Sequence, residues 1–432
     1  VKTPIYTGIF QSDLEAAGYR ISGLPTPSAS SEAATKAYVD AHSGGGGGGS
    51  GIPVTNIQDA PYSAAGDGVT DDTAALQAAI DALSALGGGR IYFPPGTYLI
   101  GGALQETGGR NAQILLPIVS QTSPPVTIEL VGALSPPTQF YYGGAIPDTA
   151  YSIIKSTLTG GTGTAAFIAG KESGSDLWDN VQLVVRDLVF EAPPNPSFTM
   201  INCFDTMGPE IRNVLIHTGS LVLNSITQPT NTNAVAIKLA PSGHAAGQVV
   251  DGVDVFGFYS GILTGEFSDS HINMWGCING LLVPWTYHMS TFRNLGLFHC
   301  KYGITAAGVN YGGLGNPPDD GTHYFKVFAC AVEHSYSAGG FGQAWQDSVY
   351  DVQDASNLLY GEITQLSIQA GVGRDHIFTK NGGNNLIVRE LGQTAMYVGT
   401  DARFTAISGG TKLETRNTGT GVWVESARWT NP

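Results

Sequence analysis

Val253-Asp254-Val255-Phe256-Gly257-Phe258-Tyr259-Ser260-Gly261-Ile262-Leu263 is matched, position for position in its pattern, by Ile272-Asn273-Met274-Trp275-Gly276-Cys277-Ile278-Asn279-Gly280-Leu281-Leu282. Leu295-Gly296-Leu297-Phe298-His299-Cys300-Lys301-Tyr302-Gly303-Ile304-Thr305 is a third copy, and Phe325-Lys326-Val327-Phe328-Ala329-Cys330 reads as the start of a fourth. Irregular repeats of roughly 20 residues or more are the mark of stacked coils, since no single coil can bury its own apolar face. Successive strand side chains point to opposite faces. The alternation therefore predicts one interior column of Val253, Ile272, Leu295 and Phe325, and a second of Val255, Met274, Leu297 and Val327. Asp254, Asn273, Gly296 and Lys326 are expected to face outward. Trp275 falls in the column of Phe256 and Phe298 and reads as packing. Gly261, Gly280 and Gly303 share one register, and glycine between the arms suits corners where φ turns positive.

The same register accounts for three of the four cysteines. Cys277, Cys300 and Cys330 fall at one repeat position and read as small buried thiols, with no C-x-x-C pairing to suggest zinc. An earlier, weaker coil surrounds Ile211-Arg212-Asn213-Val214-Leu215-Ile216-His217. From about Gln346 the pattern shifts to short runs such as Leu386-Ile387-Val388, Met396-Tyr397-Val398 and Val422-Trp423-Val424, which suggests antiparallel structure or shorter coils.

Composition bounds the function. Glycine supplies 59 of 432 residues, about twice the usual share, and charged residues make up 13%, roughly half the usual fraction. With 20 basic against 35 acidic residues the net charge is −15, which opposes a sequence-independent grip on phosphate backbones, so nucleic acid is not the expected ligand. There is no apolar run of about 18 residues for membrane insertion, and Val1-Lys2-Thr3-Pro4 lacks the apolar core of a signal peptide. Phosphate-loop, His-Glu-x-x-His and Gly-x-Ser-x-Gly motifs are missing from the sequence, and no metal or cofactor is implied.

Gly44 to Gly49, followed by Ser50 and Gly51, divide a short head from a long body, because such a run has no side chains to pack. The expected organisation is a head over residues 1–43, a glycine linker over 44–52, a coil body over 53–345 and a β-rich C-terminal region over 346–432. In the head, Ser30-Ser31-Glu32 precedes the small apolar stripe of a short helix. The body opens on a strand-like segment, then Asp67-Gly68-Val69-Thr70-Asp71-Asp72-Thr73. A helix is predicted near 70–86, with Leu76, Ile80 and Leu83 on one face. Asp71 and Asp72 read as acids that satisfy backbone N–H groups at its start.

These last residues, with Tyr92-Phe93-Pro94-Pro95-Gly96-Thr97-Tyr98, resemble the opening of the pectate-lyase-like superfamily. The resemblance implies an all-β fold, a right-handed parallel β-helix, with the helix capping one end. The head segments Gly23-Leu24-Pro25-Thr26-Pro27 and Ala33-Ala34-Thr35-Lys36-Ala37-Tyr38-Val39-Asp40 are similar to a segment of bacteriophage tail fibre and tailspike proteins. That second resemblance implies a trimeric virion protein, located in the phage tail. Residues 1–43 would contact phage tail or baseplate proteins, and the body would contact host cell-surface polysaccharide. A binding-only adhesin and a free bacterial polysaccharide lyase or hydrolase are the alternatives.

The fold carries no activity by itself. The calcium-binding aspartates and arginine base of pectate lyases find no match here, so hydrolysis is favoured over lyase chemistry. Glycoside hydrolysis uses two carboxyl groups roughly 5 to 9.5 Å apart. The candidates are Glu333, Asp254, Glu266 and Asp269, with Asp251, His271 and His334 nearby. For glycan contact the candidates are Tyr141, Tyr142, Trp285, Tyr287 and Tyr311, all in loops that would project from the rigid coils.

Overall fold

The computed structural model describes residues 52–430 apart from residues 137–148, 170–178, 222–228, 240–247, 264–269, 284–289, 307–321, 334–347, 353–357, 370–377 and several shorter stretches; beyond residue 331 it is the strand ladders that are described. The head and the glycine run lie outside the described residues. Contacts divide the chain into two units, Val1–Pro53 and Val54–Pro432, and every described strand and helix belongs to the second.

Its strands form three parallel ladders, one for each face of a parallel β-helix. The first face runs through Val54–Asn56, Gly88–Phe93, Val126–Gly132 and Val181–Arg186. The second runs through Gly96–Ile100, Ser152–Ser156, Val189–Ala192 and the latter half of Glu210–Thr218, and continues through Val253–Phe256 and Ser270–Trp275 to Leu295–Phe298. The third stacks Arg110–Leu115, Thr164–Ile168, Thr199–Cys203, Val235–Leu239, Ser260–Leu263, Asn279–Val283 and Tyr302–Ala306. Like side chains lie above one another as predicted. Val253, Ile272 and Leu295 form one buried column and Val255, Met274 and Leu297 another.

The fourth copy does not follow its predicted register. Leu295 pairs with Cys330 and Leu297 with Val332, while Phe325 and Val327 pair with Ser290 and Phe292 on the first face. Lys326 accordingly lies beside Thr291 on the first face, and Cys330 occupies the Leu295 column rather than the position of Cys277 and Cys300. All four cysteines are nevertheless buried. Parallel coils continue past residue 346, with Leu358–Gln369 pairing to Asn384–Leu391, before Met396–Tyr397, Ala402–Ile407, Gly410–Arg416 and Trp423–Thr430 form an antiparallel sheet.

Two kinds of glycine are at work. Gly257 and Gly276 turn the corner after the second face with φ of 76° and 60°. Gly261 and Gly280 instead sit within strands, where a Cβ would come within 2.6 Å of the carbonyl oxygen of Gly280 and Gly303 respectively. The corner between the first and second faces is turned by one left-handed residue per rung: Asp187, Asn213, Gly252, His271 and Asn294, with φ from 50° to 64°. Short polar side chains tolerate this conformation because they can bond locally. Asn213 Nδ2 donates to Asp187 Oδ1 at 3.1 Å, and Asn294 Nδ2 lies 3.1 Å from His271 Nε2.

Helix α1, Thr73–Ala85, buries Leu76, Ala79, Ile80 and Leu83 in the core. Gln77 ties it to the edge of the third face by bonding both backbone groups of Leu115, each at 2.9 Å. Asp71 accepts the Thr73 N–H at 3.0 Å, the expected capping role. Asp72 departs from it: its carboxylate accepts the N–H groups of Ala65 and Gly66 at 2.6 and 3.1 Å and fixes the preceding loop instead.

Candidate functional site

On the second face the outward side chains form two columns with unusual content. One reads Leu99, Lys155, Glu191, His217, Phe256, Trp275 and Phe298, and its register continues through Glu333 and Gln369. The other reads Ile153, Val189, Leu215, Asp254, Asn273 and Gly296. Lys155 Nζ pairs with Glu191 Oε1 at 2.8 Å. Trp275 lies between two rings, with centroids 5.5 Å from Phe256 at 5° and 4.1 Å from Phe298 at 22°. A Cβ on Gly296 would collide with the Asn273 amide oxygen and the Phe298 ring, so glycine makes room for both.

Parity places Asp254 outward, as predicted, but it is not solvated: it is 3% exposed. Burial raises its carboxyl to about 7, against the Asn273 and Trp275 side chains, which favour the ionised form. His217, 5% exposed, is held down to about 4 by burial, which outweighs the attraction of Glu191. His299 turns the corner at φ 55° where the two preceding rungs have glycine, its ring centroid 6.4 Å from that of Trp275, and burial lowers it to about 4. The local chemistry is thus a carboxyl that exchanges its proton near neutrality, set among neutral imidazoles and stacked rings.

Of the other sequence candidates, Glu333 lies in the register of Trp275 and Phe298 but stands three rungs from Asp254 and two residues along, so their Cα atoms are about 16 Å apart. The register does not bring these two together at the spacing of a glycosidase pair. Asp251 lies on the first face, 3.2 Å from Arg212 Nη1 and 3.7 Å from His271 Nδ1. Glu266, Asp269, His334, Tyr141, Tyr142, Trp285, Tyr287 and Tyr311 lie outside the described residues. His217 and His299 were missed, because a lone histidine inside a strand or corner gives no signal until its neighbours in adjacent rungs are known. Phe328 was missed as well; it is 40% exposed, with Lys326 Nζ 5.0 Å and the Arg293 guanidinium 5.9 Å from its ring centroid.

A three-faced parallel coil with a helix docked at its first rungs and a polar, aromatic outer face defines a pectate-lyase-like β-helix protein. Residues 54–305 match the family described as rhamnogalacturonase A/epimerase, pectate lyase-like, and the chain belongs to that family. Mannuronan C5-epimerase AlgE1 of Azotobacter vinelandii is 52% identical over 54 residues, 12% of this chain and 4% of the relative. Plasmin and fibronectin-binding protein A of Streptococcus pneumoniae is 60% identical over 40 residues, 9% of this chain and 6% of the relative. The chain therefore spans only a small part of these relatives. Among solved structures, a tailspike protein of E. coli bacteriophage HK620 in complex with a pentasaccharide is 11% identical, with 77% of this chain and 57% of that one covered at a TM-score of 0.49. The Dettilon tailspike protein is 14% identical, with 84% and 76% covered at a TM-score of 0.36.

Proposed function

We propose that this chain is a bacteriophage tailspike subunit whose β-helix recognises a host cell-surface polysaccharide. The observation that carries the reading is the match of residues 54–305 to a polysaccharide-processing family, on a rigid parallel coil. The order of head, glycine run and body supports attachment to the tail through residues 1–43, and assembly as a homotrimer. Tyr141, Tyr142, Trp285, Tyr287 and Tyr311 are proposed as further glycan contacts. Purified chain is mixed with labelled host polysaccharide and capture is measured; saturable binding is expected, and none with any host glycan would end the reading.

A second reading, cleavage of the bound polysaccharide, is favoured by the Asp254 carboxyl near 7, since a general acid works best with a pKa close to the working pH. Glu266 and Asp269 are the proposed sources of the second carboxyl, since the register holds Glu333 too far from Asp254. New reducing ends after incubation support hydrolysis and unsaturated products support a lyase. An unchanged size in a polysaccharide that demonstrably binds supports an adhesin.

A further inference from the structure

The outer sides of the three faces differ in how open they are. On the second, His217, Asp254, Phe256 and Trp275 are all buried. On the third, the column beside the core residues Ile262, Leu281 and Ile304 runs through Leu263, Leu282 and Thr305, and these are buried as well. The first face is open. One of its outward columns carries Arg90, Glu129, Glu210, Lys326 and Glu362, and the other runs from Arg186 through Arg212, Asp251 and Ser270 to Arg293 and Phe328. Arg90, Arg186, Arg212 and Lys326 are half-buried, and Arg293 and Phe328 are exposed.

Positive charge gathers on this face of an acidic chain. Arg90, Arg186, Arg212, Arg293 and Lys326 are five of the 20 basic residues, whereas Glu129, Glu210, Asp251 and Glu362 are only four of the 35 acidic ones. Arg90 and Arg186 both pair with Glu129, and Arg212 pairs with Glu210 and Asp251. Further along, the ring centroid of Phe328 lies 5.0 Å from Lys326 Nζ and 5.9 Å from the Arg293 guanidinium. Glu362 stands next to Lys326 in the register, and the exposed His271 lies one rung before Arg293. Two cations held over one ring can meet a carboxylate with charge-assisted bonds, and a planar guanidinium matches its two oxygens. Phe328 keeps 40% of its surface open beside them, enough to meet the apolar face of a sugar ring. A neutral glycan gains nothing from the charges, and nucleic acid, with a phosphate at every unit, is repelled by a chain of net charge −15.

We propose that the open first face binds an acidic polysaccharide, with a carboxylate-bearing sugar unit seated at Arg293, Lys326 and Phe328. The proposal rests on the polysaccharide reading above and gives it a surface and a substrate class. Arg212 stands three rungs from Arg293 in the same column, about 14 Å along the axis, so a polymer laid along the face reaches both.

The full chain is titrated into fluorescently labelled polygalacturonate and, separately, into labelled dextran, each at low and high salt. Saturable binding of polygalacturonate that weakens as salt rises, with no binding of dextran, is the expected result. Dextran bound as tightly as polygalacturonate, or neither bound, overturns the proposal. Arg293→Gln combined with Lys326→Gln should bind polygalacturonate about tenfold more weakly than the parent chain, and Arg293→Lys, which keeps the charge, should lose less than Arg293→Gln alone. Phe328→Ala is the second test of the contact should the double variant not fold, and unchanged affinity in the folded variant overturns the proposal. Host polysaccharide that the double variant captures as well as the parent chain does removes the first-face surface while leaving the tailspike reading intact. Polygalacturonate bound through Arg293 and Lys326, with no host glycan captured, does the reverse.

Discussion

The indole of Trp275 is stacked on the ring of Phe298, one rung further along, with 4.1 Å between centroids. Both point away from the interior of the coil, yet Trp275 is only 2% exposed. The outer side of the second face is therefore a second packed layer, continuous with Ile153, Val189, Leu215 and Leu221.

Trp275→Ala should destabilise the chain by about 3–5 kcal/mol, the usual cost of removing a buried large aromatic. Trp275→Phe, which keeps the stack, should cost clearly less. Urea midpoints of the two variants measure the difference; equal midpoints would show that stacking contributes little.

Asp254 rises from 3.8 to about 7 on folding, so between those values the folded chain keeps a proton that the unfolded chain has released. The stability linked to it is complete below the unfolded value and is lost as pH rises through about 7, by at most about 4 kcal/mol. Asp254→Asn should abolish that dependence and gain on the parent chain between about pH 4 and about pH 7. A constant stability difference across that range would refute the buried carboxyl.

His217 falls from 6.5 to about 4 on folding, which gives the opposite slope. Its contribution is complete above the unfolded value and is lost as pH falls toward 4. His217→Gln should flatten the acid limb of the stability profile, and denaturation series at several pH values would reveal a variant that leaves that limb unchanged.

Gly280→Ala should cost about 1–3 kcal/mol, because the new Cβ meets the backbone carbonyl oxygen of Gly303 at 2.6 Å as well as the buried Leu297 side chain. Gly276→Asn should cost no more than about 1 kcal/mol, since asparagine accepts left-handed φ. His299 already occupies the equivalent corner one rung on. Thermal midpoints that rank the two substitutions the other way would contradict this division of the glycines.

Burial pushes Cys203 and Cys330 up to about 12 and Cys300 well above its ordinary value. A thiol-specific reagent should label none of the four cysteines in the folded chain at neutral pH and all four after unfolding. Labelling of even one in the native state would mean that the coils open locally.

Three rungs of the coil were legible in the sequence because Val253, Ile272 and Leu295 start segments of matching pattern and spacing. The fourth was misaligned for a physical reason. Phe325-Lys326-Val327 and Cys330-Ala331-Val332 alternate equally well, and alternation says nothing about which of two faces a strand belongs to. Backbone bonds settle it: Leu295 N–H donates to the Ala329 carbonyl at 2.8 Å and Phe328 N–H to the Phe292 carbonyl at 2.9 Å. Helix α1 was read correctly from the spacing of Leu76, Ile80 and Leu83, but the separate tasks of Asp71 and Asp72 were not, since adjacent carboxylates differ only in where the folded chain aims them.

Residue order, then, fixed the period of the coils and the inward or outward sense of their side chains, both of which arise from local geometry along one strand. It did not fix depth. Asp254 and His217 face away from the core by parity, as a solvated surface residue would, and their carboxyl and imidazole are perturbed because Leu221, Tyr151 and neighbouring rungs close over that face. Burial of an outward side chain depends on segments distant in sequence, and those meet only in the folded coil.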